Sequence, residues 1–254
     1  MSKKKNSKKN HSPIKTREQL LAEKKAQEAK AKVKTLWATV ITLTSIALVI
    51  AAIIVFAVVI PRAKADPGFK PNGEVKDKVY VKMTVKDYGD IILELDGEEA
   101  PITVANFVSL VNSGFYDGLT FHRVLNDFMI QGGDPNGDGT GGTPNKIKGE
   151  FEENGYHNCI AHEYGVISMA RGNSYDSASS QFFICNANSD AVSKLDGKYA
   201  AFGHVIYGMN VVDLITSKTA FQASDMNGSI PKDVQAVISH VEVISAKEAR
   251  SYGK

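Results

Sequence analysis

Leu36 to Ile60 carries no charged residue and is built from Ile, Val, Ala, Leu and Thr with Trp37 and Phe56. Crossing a bilayer takes about 20 apolar residues, and a buried soluble helix seldom stays apolar on every face for that long. Residues 36–60 therefore read as one transmembrane helix, and the rest of the chain must fold on one side of it or the other. Residues 1–35 hold eleven Lys and Arg17 against three Glu, a net +9, whereas only Arg62 and Lys64 follow the run closely. The positive-inside rule then keeps the N-terminus cytoplasmic and carries the C-terminal part across the membrane. Trp37 stands where an interfacial anchor would. The chain as a whole is +2, so everything after residue 35 carries −7. That sign argues against a nucleic-acid reader, which needs basic surface on its folded module.

Ala63-Lys64-Ala65 matches a signal-peptidase site, so a cleaved signal and an uncleaved signal anchor both stand. The apolar run is longer than the ~7 to 15 residues of a secretory h-region, which favours the anchor. No Cys follows the run to accept a lipid. The Lys-, Ala- and Glu-rich stretch Arg17 to Lys32 reads as a topology determinant rather than a lipid-binding helix. Pro61, Pro67, Gly68, Pro71 and Gly73 give residues 61–78 the composition of a linker. The expected organisation is a basic cytoplasmic tail over 1–35, the anchor over 36–60, the linker over 61–78, one folded domain over 79–246 and a short tail over 247–254. Cys159 and Cys185 lack C-x-x-C spacing and cannot form a disulfide framework.

Within the domain Val79, Val81, Met83 and Val85 alternate with other residues, and Asp87-Tyr88-Gly89-Asp90 turns the chain into Ile91 to Leu95, the pattern of a β-hairpin. Pro101 opens a helix in which Val104, Phe107, Val108 and Val111 share one face, and Gly114 closes it. Six further short strands are predicted at Leu119–Leu125, Phe128–Gln131, Gly165–Ala170, Gln181–Cys185, Ala200–Ile206 and Val234–Ile244, with a second helix at Met209–Thr216. Many short strands with two helices point to a closed antiparallel barrel or a sandwich, since closure removes exposed edges.

Two segments are dense in aromatic and polar groups: Phe121-His122-Arg123-Val124 with Phe128-Met129-Ile130-Gln131-Gly132-Gly133-Asp134, and Ser180-Gln181-Phe182-Phe183-Ile184-Cys185. With Gly165-Val166-Ile167-Ser168-Met169-Ala170 and Leu195-Asp196-Gly197-Lys198-Tyr199 in this order, they resemble the cyclophilin family of peptidyl-prolyl isomerases over Val79 to about Ile244. The resemblance implies a mainly β fold, a closed eight-stranded antiparallel β-barrel capped by two α-helices, with a substrate groove on its outer face. It implies Arg123 as the catalytic residue, Phe128, Met129, Phe183 and Leu195 as the wall of a proline pocket, and Gln131, Ala170 and Gln181 as a floor that binds peptide backbone. Tyr199 stands where animal cyclophilins end the last run in His, and can pack and donate from its hydroxyl. Lys194 stands where they carry a Trp, so the family's indole contact to the drug cyclosporin is missing.

The chemistry of an X-Pro amide fits such residues. Rotation must break C–N resonance against a barrier of ~20 kcal/mol, and no bond to a heavy atom is made or cut. No nucleophile, metal or cofactor is required, only a site that binds the twisted amide better than either planar isomer. On ordinary expectations Arg123 would be a surface arginine, Phe128, Met129 and Phe183 core, and His122 a packed histidine on the face opposite Arg123. Gly137-x-Gly139-x-x-Gly142 formally matches a dinucleotide fingerprint but precedes Thr143-Pro144 rather than a helix. Asp134-x-Asn136-x-Asp138-Gly139 begins like a calcium loop but has Asn145 at its twelfth position. His157, Cys159 and His162 lack a fourth ligand at regular spacing. The reading is a membrane-anchored bacterial isomerase, monomeric, with proline-containing polypeptides as clients outside the cytoplasm. The rivals are a tethered, non-catalytic chaperone or proline-peptide-binding module of the same fold, and a cytoplasmic enzyme whose apolar segment only docks.

Overall fold

The computed structural model describes Lys30 and residues 74–253. The apolar run, most of the linker and all of the basic tail but Lys30 lie outside the described residues; among the described residues no helix is long and apolar enough to cross a membrane.

Strand β1 (Lys78–Val85) buries Val81, Met83 and Val85, every second residue, as the alternation predicts. It pairs with β2 (Gly89–Asp96) through a tight turn in which Tyr88 N–H donates to the Val85 carbonyl and Asp87 takes φ +65°. Helix α1 (Pro101–Asn112) follows, burying Val104, Phe107 and Val111. Its cap residue, Ala100, has no side-chain oxygen, and Glu150 supplies the missing acceptor from 48 residues away: its carboxylate takes the N–H groups of Ile102 (3.0 Å) and Thr103 (2.7 Å).

The predicted strand over Leu119–Leu125 is two strands, β3 (Thr120–Phe121) and β4 (Arg123–Leu125), separated by His122. After them come β5 (Met129–Gly132), β6 (Val166–Met169), β7 (Phe182–Cys185), the short helix α2 (Asp190–Ser193), β8 (Ala201–Tyr207), helix α3 (Met209–Thr219), β9 (Ala236–Ile244) and the short helix α4 (Ala246–Ala249). The sheet is antiparallel in the order β3-β9-β1-β2-β8-β6-β7-β5-β4. It has nine strands, not the expected eight, because β3 pairs with β9 while β4 pairs with β5. The first and last strands of that order adjoin in sequence. His122 N–H donates to the Gln131 carbonyl of β5 (3.1 Å), its carbonyl accepts from Ile230 N–H (2.9 Å), and Val124 N–H donates to the Gly228 carbonyl (2.9 Å), so the two ends of the sheet meet at His122 in a nearly closed barrel.

Two helices longer than two turns match the expectation. The four-residue helices α2 and α4 are too short for a periodic signal, and each is capped by a serine, Ser189 and Ser245. The C-terminal residues also join the fold: Ala249 is buried with Ile92 and Ile244, and Tyr252 packs against them. At the other end Val75 packs on the core and donates its N–H to the Pro101 carbonyl.

The barrel interior is aromatic at its centre. Phe107 of α1 lies 5.6 Å from Phe182 and 5.2 Å from Phe202, and Tyr116, fully buried, donates its hydroxyl to the Ser180 carbonyl. Period 2 then divides each strand near the closure between two clusters. Val124, Ile130, Ile167, Phe182 and Ile184 enter the main core. Met129, Phe183 and Cys185 form a second, smaller cluster on the outer face, with Val192 of α2.

Candidate active site

Strand register assembles the outer face. Arg123 on β4 stands opposite Gln131 on β5, Gln131 opposite Phe183 on β7, and Phe183 opposite Ser168 on β6. Residues far apart in sequence thus form one row across four strands, with Met129 beside it between Leu125 and Cys185.

The polar half of the row is a directed chain of hydrogen bonds. Arg123 Nη1 donates to Gln131 Oε1 (3.1 Å), Gln131 Nε2 donates to Gln181 Oε1 (2.8 Å), and Gln181 Nε2 donates to the carbonyls of Gly139 (3.1 Å) and Gly141 (2.7 Å). Each amide is oriented by its neighbours. Arg123 Nε donates to the Asn227 carbonyl at 2.7 Å. Among the described residues no carboxylate oxygen lies within 4 Å of the Arg123 guanidinium. Burial lowers its pKa from the usual arginine value, with Tyr199 and Asp225 opposing; a guanidinium so shifted still stays charged at neutral pH.

The Asn227 loop is a part of the site that sequence reasoning missed. Asp225 accepts from Asn227 N–H, Ser229 N–H and the Ser229 hydroxyl. Gly228, at φ +82°, lies so close to β4 that a Cβ there would stand 2.6 Å from the Val124 carbonyl. Asn227-Gly228 is a recognisable turn pair, but nothing local says that the turn lands on Arg123.

The apolar half is the second cluster. Met129 (1% exposed) and Phe183 (4%) form its base, and Phe128, Leu125, Ala170, Leu195 and Tyr199 are packed against it, partly exposed. The Tyr199 ring meets Phe183 edge-on at 5.8 Å. Under Phe183 the buried His162 ring stacks at 6.1 Å, its Nδ1 2.8 Å from Asp196 and its Nε2 3.0 Å from Ser168 Oγ. Burial lowers the His162 pKa against the pull of Asp196. This histidine ties the Leu195-Asp196 turn to the barrel through both ring nitrogens.

Arg123, Phe128, Met129, Gln131, Ala170, Phe183, Leu195 and Tyr199 surround a single open cavity of about 280 Å³. Gln181 lines an adjoining cavity instead and reaches the first through its hydrogen bonds with Gln131 and Gly139, which line both. Lys194 is exposed and does not line the first cavity. His122 does line it, although it is only 3% exposed, and neither ring nitrogen has a hydrogen-bond partner. The histidine is packed, as expected, but it borders the same cavity as Arg123 rather than the opposite face: alternation holds along one strand, and His122 is the break between two. Burial lowers its pKa, against the opposing Asp134.

The rim from Asp134 to Gly142 is the segment that mimics a calcium loop. Its Asp134 carboxylate is taken by the chain itself, accepting from the N–H groups of Asn136 (2.7 Å), Asp138 (3.2 Å) and Gly139 (2.5 Å). Burial pushes the Asp134 pKa up, but these backbone donors and Gly141 outweigh it and hold the carboxyl below its usual value.

A barrel with a charged guanidinium beside a half-open apolar pocket and a row of amide groups defines a peptide-binding site. The match with known proteins is consistent with this. Residues 80–243 match the model of the cyclophilin type peptidyl-prolyl cis-trans isomerase family. The chain is 42% identical over 148 residues to a peptidyl-prolyl cis-trans isomerase of Helicobacter pylori, covering 56% of this chain and 86% of that one. It is likewise 42% identical over 151 residues to peptidyl-prolyl cis-trans isomerase B of Bacillus subtilis, covering 59% and 93%. A crystal structure of a Cryptosporidium parvum cyclophilin type isomerase in the presence of the dipeptide Ala-Pro superposes with a TM-score of 0.56 at 27% identity, covering 65% of this chain and 99% of that one. The chain belongs to the cyclophilin-type peptidyl-prolyl cis-trans isomerase family, and it is an enzyme of that class.

The Asp134 loop yields a pH-dependent prediction. A carboxyl whose pKa is depressed by folding adds stability above its unfolded value, near 4, and loses it as pH falls through the folded value. Asp134→Asn should cost about 2 kcal/mol at pH 7, and the gap to wild type should narrow below about pH 4, as read from urea denaturation at both pH values.

Proposed function

We propose that this isomerase acts on X-Pro bonds of secreted or surface polypeptides outside the cytoplasmic membrane, with Arg123 as its catalytic residue. The observation that carries the role of Arg123 is its charge without a carboxylate partner among the described residues, held by two neutral acceptors at the edge of an apolar pocket.

The proline ring enters the space bounded by Phe128, Met129, Phe183 and Leu195, where its apolar surface leaves water. The Gln131 and Gln181 amides and the backbone beside Ala170 hold the flanking peptide, so that one side of the amide is fixed while the other turns. As resonance is lost the prolyl nitrogen regains a lone pair, and Arg123 donates to it. That bond is absent in both planar isomers, so it lowers the barrier without deepening the ground states. Each tenfold in rate needs about 1.4 kcal/mol, and a charge-assisted bond in a partly dry site supplies about 1.5 to 3 kcal/mol. Desolvation of Arg123 before substrate arrives leaves its charge available.

The tether reading rests on the uncharged run 36–60 and the +9 that precedes it, with −7 on everything after residue 35. A domain held near the membrane's outer face would meet polypeptides as they emerge.

Arg123→Ala in the full-length protein, folded by circular dichroism, should lower cis/trans exchange of an X-Pro tetrapeptide about 10- to 100-fold by NMR while binding it within a few-fold. Retention of full exchange would remove Arg123 from the chemistry; a wild type that binds without accelerating exchange would favour the holding module. Separately, a reporter enzyme active only outside the cytoplasm should be active when fused after Lys78. Activity of a cytoplasm-only reporter at that position would refute the orientation.

A further inference from the structure

His157 and Cys159 stand two residues apart in the chain, and the fold brings Glu152 to them. Cys159 is exposed, and its Sγ lies 3.1 Å from His157 Nε2. The other ring nitrogen, Nδ1, lies 2.5 Å from Glu152 Oε1. A thiol beside an imidazole that a carboxylate orients is the arrangement of an assisted nucleophile. None of the three lines the prolyl cavity. They are not a metal cage either: among the described residues no group of three or more His, Cys, Asp or Glu is placed to hold an ion.

The backbone that carries the trio is fixed from both sides. Residues 157–160 alternate between exposed and half-buried, and the half-buried Asn158 donates its amide to the carbonyls of Glu150 (3.0 Å) and Ala201 (2.9 Å). Its Oδ1 accepts from Ile160 N–H at 3.0 Å. Cys159 N–H donates to the Glu99 carboxylate at 2.6 Å. Glu152 opens a single 3-10 turn, Glu152–Asn154, that is tied down where Glu153 N–H meets the Gly197 carbonyl and the Asn154 amide meets the Gly149 carbonyl. Thiol and imidazole are therefore placed before a reactant arrives, and the His157 side chain, 80% exposed, leaves them reachable.

Cys159 also borders an open cavity of about 370 Å³ with Asp96, Glu99, Glu163 and His204. Among the described residues none of these three carboxylates has a Lys, Arg or His nitrogen within 4 Å. A concave space with three such carboxylates attracts a cation. The chain has one other cysteine, Cys185. It is fully buried, and burial pushes its thiol up to about 12, so it is inert and out of reach as a partner for Cys159.

We propose that Cys159 is a thiol–disulfide exchange site, with His157 as its base and Glu152 as a positioning residue, that takes a disulfide flanked by Lys or Arg on another polypeptide. The Cys159 proton passes to His157 Nε2. The thiolate attacks one sulfur of the incoming disulfide, the new S–S bond forms as the old one breaks, and the departing thiolate recovers the proton from His157. Cys159 is oxidised, the departing sulfur is reduced, and the product is a mixed disulfide between the two chains. With Cys185 buried, that bond lasts until an outside thiol attacks it. The proposal does not depend on the reading of the prolyl groove.

The test mixes the full-length protein at neutral pH with disulfide dimers of the blocked tripeptides Lys-Cys-Lys, Gln-Cys-Gln and Glu-Cys-Glu. Mass spectrometry follows the adduct, and each rate is divided by that of the reduced Gln-Cys-Gln tripeptide with the same dimer. Cys159 alone should be modified, about tenfold faster than the free tripeptide by the Gln dimer. The Lys dimer should gain a further factor of about five, shrinking with salt, and the Glu dimer should lose as much. His157→Gln should remove the tenfold gain and Glu152→Gln about a third to a half of it on a logarithmic scale. His157→Lys should restore most of it, because a cation stabilises the thiolate whatever its shape. All three variants should keep wild-type isomerase activity, which separates lost chemistry from lost folding. A wild-type rate within about twofold of the free tripeptide, modification of Cys185 instead, or a His157→Gln rate within about twofold of wild type overturns the site. A Lys-to-Gln ratio within about twofold of one overturns the cationic partner.

Discussion

The site depends on how the barrel shuts. Strands β3 and β4 are consecutive in the chain yet occupy opposite ends of the sheet order, and His122 alone joins them. A nine-stranded sheet that ended in two free edges would present unpaired N–H and C=O groups. Here the edges meet at His122, whose N–H and carbonyl are taken by Gln131 and Ile230. The next residue is Arg123, so the closure fixes the guanidinium to within one residue of a point that the whole sheet determines. An arginine on a free loop would have to be ordered by the substrate.

Period 2 then provides the two faces. Along β5 and β7 every second residue builds the main core, and the alternate residues, Met129, Gln131, Phe183 and Cys185, build the outer one. Register brings Arg123, Gln131 and Phe183 into line, so the groove is a direct consequence of the pairing that stabilises the barrel. The cost is a half-buried guanidinium whose partners are neutral. Two carbonyl oxygens compensate part of the lost hydration, and the remainder is what a twisted prolyl amide can use. The same logic recurs at Arg171, where three rings and two carbonyls hold the charge.

Much of this was legible in the sequence. The alternation of Val81, Met83 and Val85, the helix opening at Pro101 and the stripe Val104, Phe107 and Val111 follow from local periodicity, which reports burial directly. Of the nine residues that the resemblance singles out, the fold brings eight around one cavity. What failed was what depends on long-range pairing. Leu119–Leu125 has unbroken strand character, and only the partners of its two halves, β9 and β5, reveal two strands and place His122 on the groove. Glu150 caps a helix 48 residues away, the Asn227 turn lands on Arg123, and His162 supports Phe183 from beneath; no local pattern encodes such meetings. Residues 36–60 are the reverse case, where composition speaks clearly and the described residues do not reach.

The central claim is that one row of side chains on the outer face holds a prolyl peptide with Arg123 against the amide that turns. A structure of the protein with an Ala-Pro-containing peptide bound tests it most directly. The account predicts the pyrrolidine ring between Phe128, Met129, Phe183 and Leu195, with an Arg123 nitrogen within hydrogen-bonding distance of the prolyl nitrogen or its adjoining carbonyl. A peptide bound elsewhere on the barrel, or a proline in this pocket with Arg123 still turned to Asn227 and Gln131 and out of reach of the amide, would contradict it.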